Sequence, residues 1–277
     1  MNQQIIVNVN GAALPAIGFG TLFIKDEACT ALVGEALKSG YRHIDTAANY
    51  GNETEVGRGL KAGGVPRDKF FLTTKVWHTE LANGKLQASA ETSLGKLGVD
   101  YVDLLLIHWP NPAIPLEDSI PALCEVKKRG LARHIGVSNF TVAMLDKAVS
   151  LASEPIVCNQ VEYHPYLAQT KLMAACRRHG MALTAYCPLG RGGIIKDPVI
   201  GEIAAAHNRT PAQVLLRWSV QQPNVVAIPR STNAGRIREN LDIFGFELTA
   251  AEMSRIAALA RPDGRVVKPP FAPHWDV

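Results

Sequence analysis

Short apolar runs alternate with longer amphipathic stretches along this chain, and the alternation repeats eight times. The runs fall at 16–20, 42–46, 70–75, 103–109, 134–138, 157–163, 183–187 and 225–229, and several are nearly continuous in Val, Ile and Leu. Continuous apolarity is expected of strands covered on both faces, as in a parallel sheet. Between the runs, apolar residues recur at helical spacing: Leu86, Ala90, Leu94 and Leu97 share one face, and Leu116, Ile120 and Leu123 share the next. Lys127, Lys128 and Arg129 fall in the last turn of that second helix, where cations suit the negative end, and Gly130 follows as a left-handed cap. Gly40, Gly98 and Gly180 punctuate other helix ends in the same way.

Strand then helix, eight times over, predicts an α/β protein built as a (β/α)8 TIM barrel, with residues 1–277 forming a single barrel domain. Ahead of the first barrel strand, IIVNVNGAALP alternates around Asn10-Gly11, which predicts an N-terminal β-hairpin plugging the amino-terminal end of the barrel. Two extra helices are expected between strands seven and eight, around 199–207 and 211–221. A last helix should follow LTAAE, where Thr249 can cap with Glu252 three residues on. A doubly wound sheet is the competing architecture. It is disfavoured because Gly18-Phe19-Gly20 runs on into Thr21, Leu22 and Phe23 without a third glycine.

Composition narrows the function. Hydrophobic residues make up 47% of the 277 and charged residues 19%, enough apolar matter for a large core and too little charge for a disordered chain. The net charge of +4 comes without a Lys/Arg run, so a nucleic-acid partner is not expected, although an anionic ligand would be favoured. The N-terminal segment lacks the basic and apolar regions of a secretory signal, and no apolar run reaches membrane-spanning length. Five scattered cysteines with no C-x-x-C read as reduced, mostly buried thiols, which suits a cytoplasmic protein. The eight histidines show neither H-x-x-x-H nor H-E-x-x-H spacing, so no metal is expected.

The chemistry gathers at strand ends. Asp45, Lys75 and His108 close the second, third and fourth runs, and Tyr50 lies in the loop after the second. Reactive groups of such barrels collect at the carboxyl ends of the strands. A phenol titrates near 10, and a neighbouring ammonium held by a carboxylate would lower that value toward a usable proton donor. An imidazole could hold a carbonyl oxygen beside the phenol. Taken singly, the aspartate is more often a helix cap, the tyrosine a packing residue and the histidine a satisfied core group. A lysine ending a buried strand is harder to explain away, because an unpaired buried charge is costly. The four together outweigh the separate structural explanations.

The segments GFGT at 18–21, DTAANYGNE at 45–53, TTK at 73–75, LLIHWP at 105–110, IGVSNF at 135–140, NQVEYHP at 159–165, AYCPLG at 185–190 and IPRSTNAGRIREN at 228–240 occur in this order. On them the chain resembles the aldo-keto reductases along nearly its whole length, closest to the short bacterial branch that includes 2,5-diketo-gluconate reductases. The resemblance implies Tyr50 as proton donor, Lys75 and Asp45 as its tuning pair, His108 as the group that orients the carbonyl, and NADP(H) extended across the barrel mouth. It further implies that Thr21 and Asp45 contact the cofactor, that Ser138, Asn139 and Gln160 hold the nicotinamide carboxamide, and that Tyr186 stacks on its ring. Pro188, Leu189 and Gly190 would pass the pyrophosphate. Arg230, Ser231, Thr232, Asn233 and Arg236 would hold the adenosine 2′-phosphate, with Glu239 and Asn240 near the adenine. Two guanidinium groups, a hydroxyl and a helix N-terminus make a sensible anion site.

Some positions depart from the family pattern. Residue 230 is Arg where many relatives have Lys, which keeps the charge and changes its geometry. Residue 187 is Cys where Ser is common. Residue 22 is Leu where many members carry an aromatic wall. Leu22, Tyr50, Trp77, His108 and Trp109 are the expected substrate contacts. Short rim loops and the brief tail FAPHWDV predict an open, less aromatic pocket for small polar carbonyls such as sugar-derived ketones and dicarbonyls. The expected protein is a monomeric NADPH-dependent carbonyl reductase. The alternatives are a cofactor-binding regulatory subunit with vestigial activity and an NAD(P)-linked alcohol dehydrogenase acting mainly in oxidation.

Overall fold

A computed structural model describes residues 5–276; residues 1–4 of the N-terminal segment and residue 277 of the tail lie outside the described residues. The elements follow one another as β1 (Ile6–Val9), β2 (Ala12–Pro15), β3 (Phe19–Gly20), α1 (Asp26–Ser39), β4 (His43–Asp45), α2 (Glu53–Gly63), β5 (Phe71–Val76), α3 (Lys85–Leu97), β6 (Val102–Ile107), α4 (Leu116–Lys128), β7 (Ala132–Ser138), α5 (Val142–Leu151), β8 (Ile156–Glu162), α6 (Thr170–Arg178), β9 (Ala182–Tyr186), α7 (Pro198–Ala206), α8 (Pro211–Val220), β10 (Val225–Ala227), α9 (Ala234–Leu241) and α10 (Ala250–Ala257). β3 to β10 pair in sequence order, every pairing parallel.

The sheet closes on itself. Gly18 N–H donates to Ala227 O at 2.8 Å, Ala227 N–H to Ala16 O at 2.9 Å, and Gly20 N–H to Pro229 O at 3.0 Å. Ile17 and Ala227 form a parallel bridge across the seam. The ring of eight expected strands is therefore present, and closure removes both sheet edges. The first strand is shorter than expected: ladder pairing covers only Phe19–Gly20 of 16–20, because the preceding residues bond across the seam. His108 lies one residue beyond β6, so the fourth strand stops before the group it presents.

β5 and β6 are buried along their whole length, as continuous apolar runs require. Asp103, the charge interrupting β6, accepts Leu72 N–H at 2.9 Å and pairs with Arg67 at 2.7 Å, so the run tolerates it. The predicted hairpin forms, with Asn10 and Gly11 at φ 44° and 81°. Asn10 Nδ2 donates to Ile156 O, at the start of β8, which seats the turn at the amino-terminal end of the barrel. The two extra helices appear as α7 and α8, and Thr249 and Glu252 form the expected capping box of α10. Gly40, Gly98, Gly130 and Gly180 all adopt positive φ. On the outer layer, Gly59 of α2 faces α1 so closely that a Cβ there would stand 2.6 Å from Val33 Cβ and 2.8 Å from Thr30 O. That approach fixes the helix leading away from the Tyr50 loop.

Candidate active site

Side chains alternate along a strand, so His43 and Asp45 of β4 share one face with Phe71, Thr73 and Lys75 of β5. That face is the barrel interior. A lower layer packs His43 edge-on against Phe71 at 5.2 Å, with His134 stacked beyond it at 6.4 Å. The layer above is polar. Lys75 Nζ donates to Asp45 Oδ1 at 2.5 Å, to Thr46 O at 2.8 Å and to the Tyr50 hydroxyl at 3.3 Å. An ammonium has three protons, and all three are used. The Lys75 and Asp45 side chains are 0% and 2% exposed, so the ion pair is stable there only because each partner satisfies the other. The second Asp45 oxygen, Oδ2, accepts Gln160 Nε2 at 2.9 Å from β8, 115 residues away.

Tyr50 stands on a short helical turn, Ala48–Tyr50, and its ring meets His108 edge-on at 5.5 Å. The four predicted groups are thus together at the carboxyl rim. Burial pushes the Tyr50 phenol well above its ordinary 10, helped by the Asp45 carboxylate and by Cys187. This corrects the expectation of a lowered value: the ammonium 3.3 Å away does not outweigh desolvation, and the phenol is held protonated. Burial also lowers Lys75, opposed by Asp45. His108 falls well below 6.5 through burial and then through Lys75 and His78, so the imidazole is neutral. Such a group donates one hydrogen bond without bringing a charge.

Asn52 completes the scaffold. It is buried, its Nδ2 donates to Thr21 O and Ile24 O at 2.9 Å each, and its Oδ1 accepts the Thr46 hydroxyl at 2.9 Å. Both rim loops hang on this one amide. Thr21 is buried with its hydroxyl donating to Asp45 O at 3.1 Å, so it ties β3 to β4 and has no proton left to offer at the mouth. Leu22 is half-buried on the same loop, and its neighbour Phe23 is 68% exposed with a φ of 63°.

Around the mouth, Asn139 Nδ2 donates to His108 O and to Ser138 Oγ, Ser138 Oγ donates to Gln160 O, and the Tyr186 hydroxyl donates to Asn139 Oδ1 at 2.8 Å. Ser138, Asn139, Gln160 and Tyr186 are therefore one connected network beside Asp45. Gln160 Oε1 stays outside these bonds and can accept from a carboxamide. The backbone after β9 bends through Cys187 and Gly190, both at positive φ, so Pro188, Leu189 and Gly190 form a tight turn at the rim. Beyond β10, the Ser231 hydroxyl shapes the turn by accepting Asn233 N–H at 3.1 Å, and Asn233 Oδ1 caps α9 by accepting Arg236 N–H at 3.0 Å. Arg230 and Arg236 are exposed, and neither forms an ion pair among the described residues, whereas Arg238 on the same helix is bound to Glu35. Two unpaired guanidinium groups beside the exposed Thr232 and a helix N-terminus fit a phosphate monoester. The Glu239 carboxylate accepts the Thr210 hydroxyl at 2.8 Å through Oε1 and so braces α8, and Asn240 beside it is buried.

The fold that carries this site is found again in known proteins. Residues 16–261 match the aldo/keto reductase family. The chain belongs to the aldo/keto reductase family. Membership makes this aldo/keto reductase an NADP(H)-dependent oxidoreductase acting on carbonyl groups. It is 44% identical over 267 residues to the methylglyoxal reductase DkgB of Escherichia coli O157:H7, covering 95% of this chain and all of that relative. A crystal structure of a candidate 2,5-diketo-D-gluconic acid reductase B superposes with a TM-score of 0.97 at 46% identity, over 100% of this chain and 99% of the other. A Bombyx mori aldo-keto reductase solved in complex with NADP superposes with a TM-score of 0.87 at 34% identity, over 93% of each chain.

The pocket wall of this aldo/keto reductase differs from expectation. Trp77 meets His108 at 5.3 Å, and Phe271 of the tail packs on Trp77 at 5.6 Å, on His78 at 4.6 Å and on Trp109 at 5.5 Å. Trp275 closes on Trp109 at 6.1 Å. The less aromatic, open mouth expected from Leu22 and a brief tail is therefore corrected. The tail is short but aromatic, and it lies across the rim where Trp77 and Trp109 offer ring edges. The length of the tail does not reveal Phe271 and Trp275 as wall residues; the pair of aromatic rings in FAPHWDV is the signal that does.

Proposed function

We propose that this enzyme reduces small carbonyl compounds with NADPH, taking dicarbonyls such as methylglyoxal and sugar-derived ketones such as 2,5-diketo-gluconate. Support for these substrates comes from the relatives at 44% and 46% identity and from a mouth built of tryptophan edges around one neutral imidazole. Bound NADPH supplies a hydride to the carbonyl carbon. The residues do the rest. His108 holds the carbonyl oxygen, Tyr50 delivers the proton to it, Lys75 keeps the phenol oriented through its 3.3 Å contact, and Asp45 keeps Lys75 charged. Ser138, Asn139 and Gln160 would bind the carboxamide, Tyr186 would stack on the ring, Pro188, Leu189 and Gly190 would follow the pyrophosphate, and Arg230, Ser231, Thr232, Asn233 and Arg236 would hold the 2′-phosphate, with Glu239 and Asn240 near the adenine. Leu22, Trp77 and Trp109 join Phe271 and Trp275 in the substrate wall.

The carrying observation is the Lys75 ammonium shared between Asp45 and Tyr50 beside His108. We assign the chain one barrel domain, a monomeric state and a cytoplasmic location; no helix among the described residues is long and apolar enough to cross a membrane. An intact tetrad does not favour a purely regulatory subunit, and unpaired Arg230 and Arg236 do not favour an NAD-linked dehydrogenase. NADPH oxidation measured over methylglyoxal, ketoses, diketo acids and aromatic aldehydes tests the assignment, with Tyr50→Phe alongside. Consumption of NADPH with none of them, despite cofactor binding, would return the regulatory reading.

A further inference from the structure

The last residue of β8 is a fully buried carboxylate with no part in the chemistry above. Glu162 Oε1 accepts Val266 N–H at 2.7 Å, and Oε2 accepts Val267 N–H at 2.8 Å. His164 Nε2, also buried, donates to Oε1 at 2.9 Å, and the Glu162 carbonyl accepts Gln169 Nε2 at 2.9 Å. One carboxylate thus grips two successive backbone amides of a segment 104 and 105 residues away.

The gripped segment is the start of the tail. Just before it, Arg261 N–H donates to Tyr166 O at 3.1 Å, and its guanidinium lies 4.1 Å over the Tyr166 ring. Gly264 sits so tightly there that a Cβ would stand 1.8 Å from Tyr166 O. Just after it come Phe271 and Trp275, and Asp276 Oδ2 accepts Val142 N–H at 2.8 Å at the head of α5. The Arg265 guanidinium lies 3.8 Å over the Trp275 ring. The tail is a strap pinned at both ends, and among the described residues Glu162 is the fully buried charge that pins it.

We propose that Glu162 is a positioning residue for carbonyl binding, acting through the tail by holding Phe271 and Trp275 against Trp77 and Trp109. The proposal rests on the reductase reading. Hydrogen bonds to a charged acceptor are strong, and the fully buried Glu162 commits both of its oxygens to these two amides. Glutamine in this place offers one acceptor oxygen and turns an amide N–H₂ toward the other backbone donor. The strap would then loosen, and each substrate molecule would have to order it on binding. Among the described residues no hydrogen bond joins Glu162 to the tetrad, so the chemical step stays intact.

The test is Glu162→Gln assayed with methylglyoxal at saturating NADPH, with cofactor affinity followed by fluorescence. The expected result is a KM on the order of tenfold higher, with kcat within about twofold of wild type and cofactor affinity unchanged. Phe271→Ala with Trp275→Ala should raise KM less in the Glu162→Gln background than in the wild type, because the wall there is already partly released. A wild-type KM, a loss confined to kcat, or fully additive effects would overturn the proposal. If Glu162→Gln does not fold, Gly264→Ala displaces the strap from Tyr166 without touching the carboxylate: a raised KM with preserved kcat is expected, and an unchanged KM overturns the proposal. Absence of turnover in the wild-type enzyme speaks against the reductase reading instead.

Discussion

Lys75 Nζ stands 2.5 Å from Asp45 Oδ1 and 3.3 Å from the Tyr50 hydroxyl, so a single ammonium couples a carboxylate on one strand to a phenol in the loop beyond it. Because burial keeps that phenol protonated, the pair stores a proton at the rim and does not generate a phenolate. Replacing Tyr50 by Phe removes the donor while keeping the ring against His108. Reduction should slow by about 10² to 10⁴ in kcat, the usual worth of a positioned general acid, with cofactor affinity unchanged. Steady-state NADPH oxidation checks this, and full activity in the variant would remove Tyr50 from the mechanism.

The same pKa directions predict the pH profile. Tyr50 titrates above 10 and His108 well below 6.5, so neither changes charge between those values. The reduction rate should be level across that interval. A step near 6.5 in kcat/KM would mean that His108 acts as a cation.

Stability should depend on acid. His43 and His108 are both buried with folded values below their ordinary 6.5. Below 6.5 the unfolded chain therefore binds more protons than the folded one. Stability is full above the unfolded value and falls as pH drops, by about 1.4 kcal/mol per pH unit for each histidine until its folded value is reached. Urea unfolding at a series of pH values measures the slope, and His108→Asn should make it shallower.

Arg236 is exposed at the head of α9, with no carboxylate partner among the described residues. Arg236→Ala should raise KM for NADPH by roughly 10-fold or more, the loss of a hydrogen bond to a charged group, and leave NADH almost untouched. Equal effects on both cofactors would place the 2′-phosphate elsewhere.

Asn52 makes three buried hydrogen bonds that join the loops of Thr21 and Tyr50. Asn52→Ala leaves two carbonyls and one hydroxyl without their partner, at a cost of about 1–3 kcal/mol in stability for a buried group left unsatisfied. Turnover should fall as well, because the loop that presents Tyr50 loses its anchor. Thermal unfolding with parallel kinetics separates the two effects.

Much of the fold and of the site is legible in the order of residues alone. Eight apolar runs announce eight strands because a parallel strand is buried on both faces, and strand and helix order leaves few ways to connect them. Asp45, Lys75 and His108 stand out because a charged or polar group closing an apolar run has no other easy explanation. The tail and the carboxylate that holds it are not legible. Glu162 stands one residue beyond Val161 in an apolar run, and nothing near it in sequence tells that its partners are Val266 and Val267. The titration of the Tyr50 phenol is hidden for a related reason: the neighbouring ammonium can be anticipated from the sequence, but the depth of burial cannot.

The sequence by itself determined the barrel, the helix ends and the choice of candidate reacting groups, because periodicity, capping and residue chemistry are local properties. Only the tertiary structure decided that Gln160 reaches across the barrel to Asp45, that burial outweighs the ammonium at Tyr50, and that Phe271 and Trp275 wall the mouth. Each of these depends on distances between residues far apart in the chain, which exist only once the barrel has closed and excluded water from its interior.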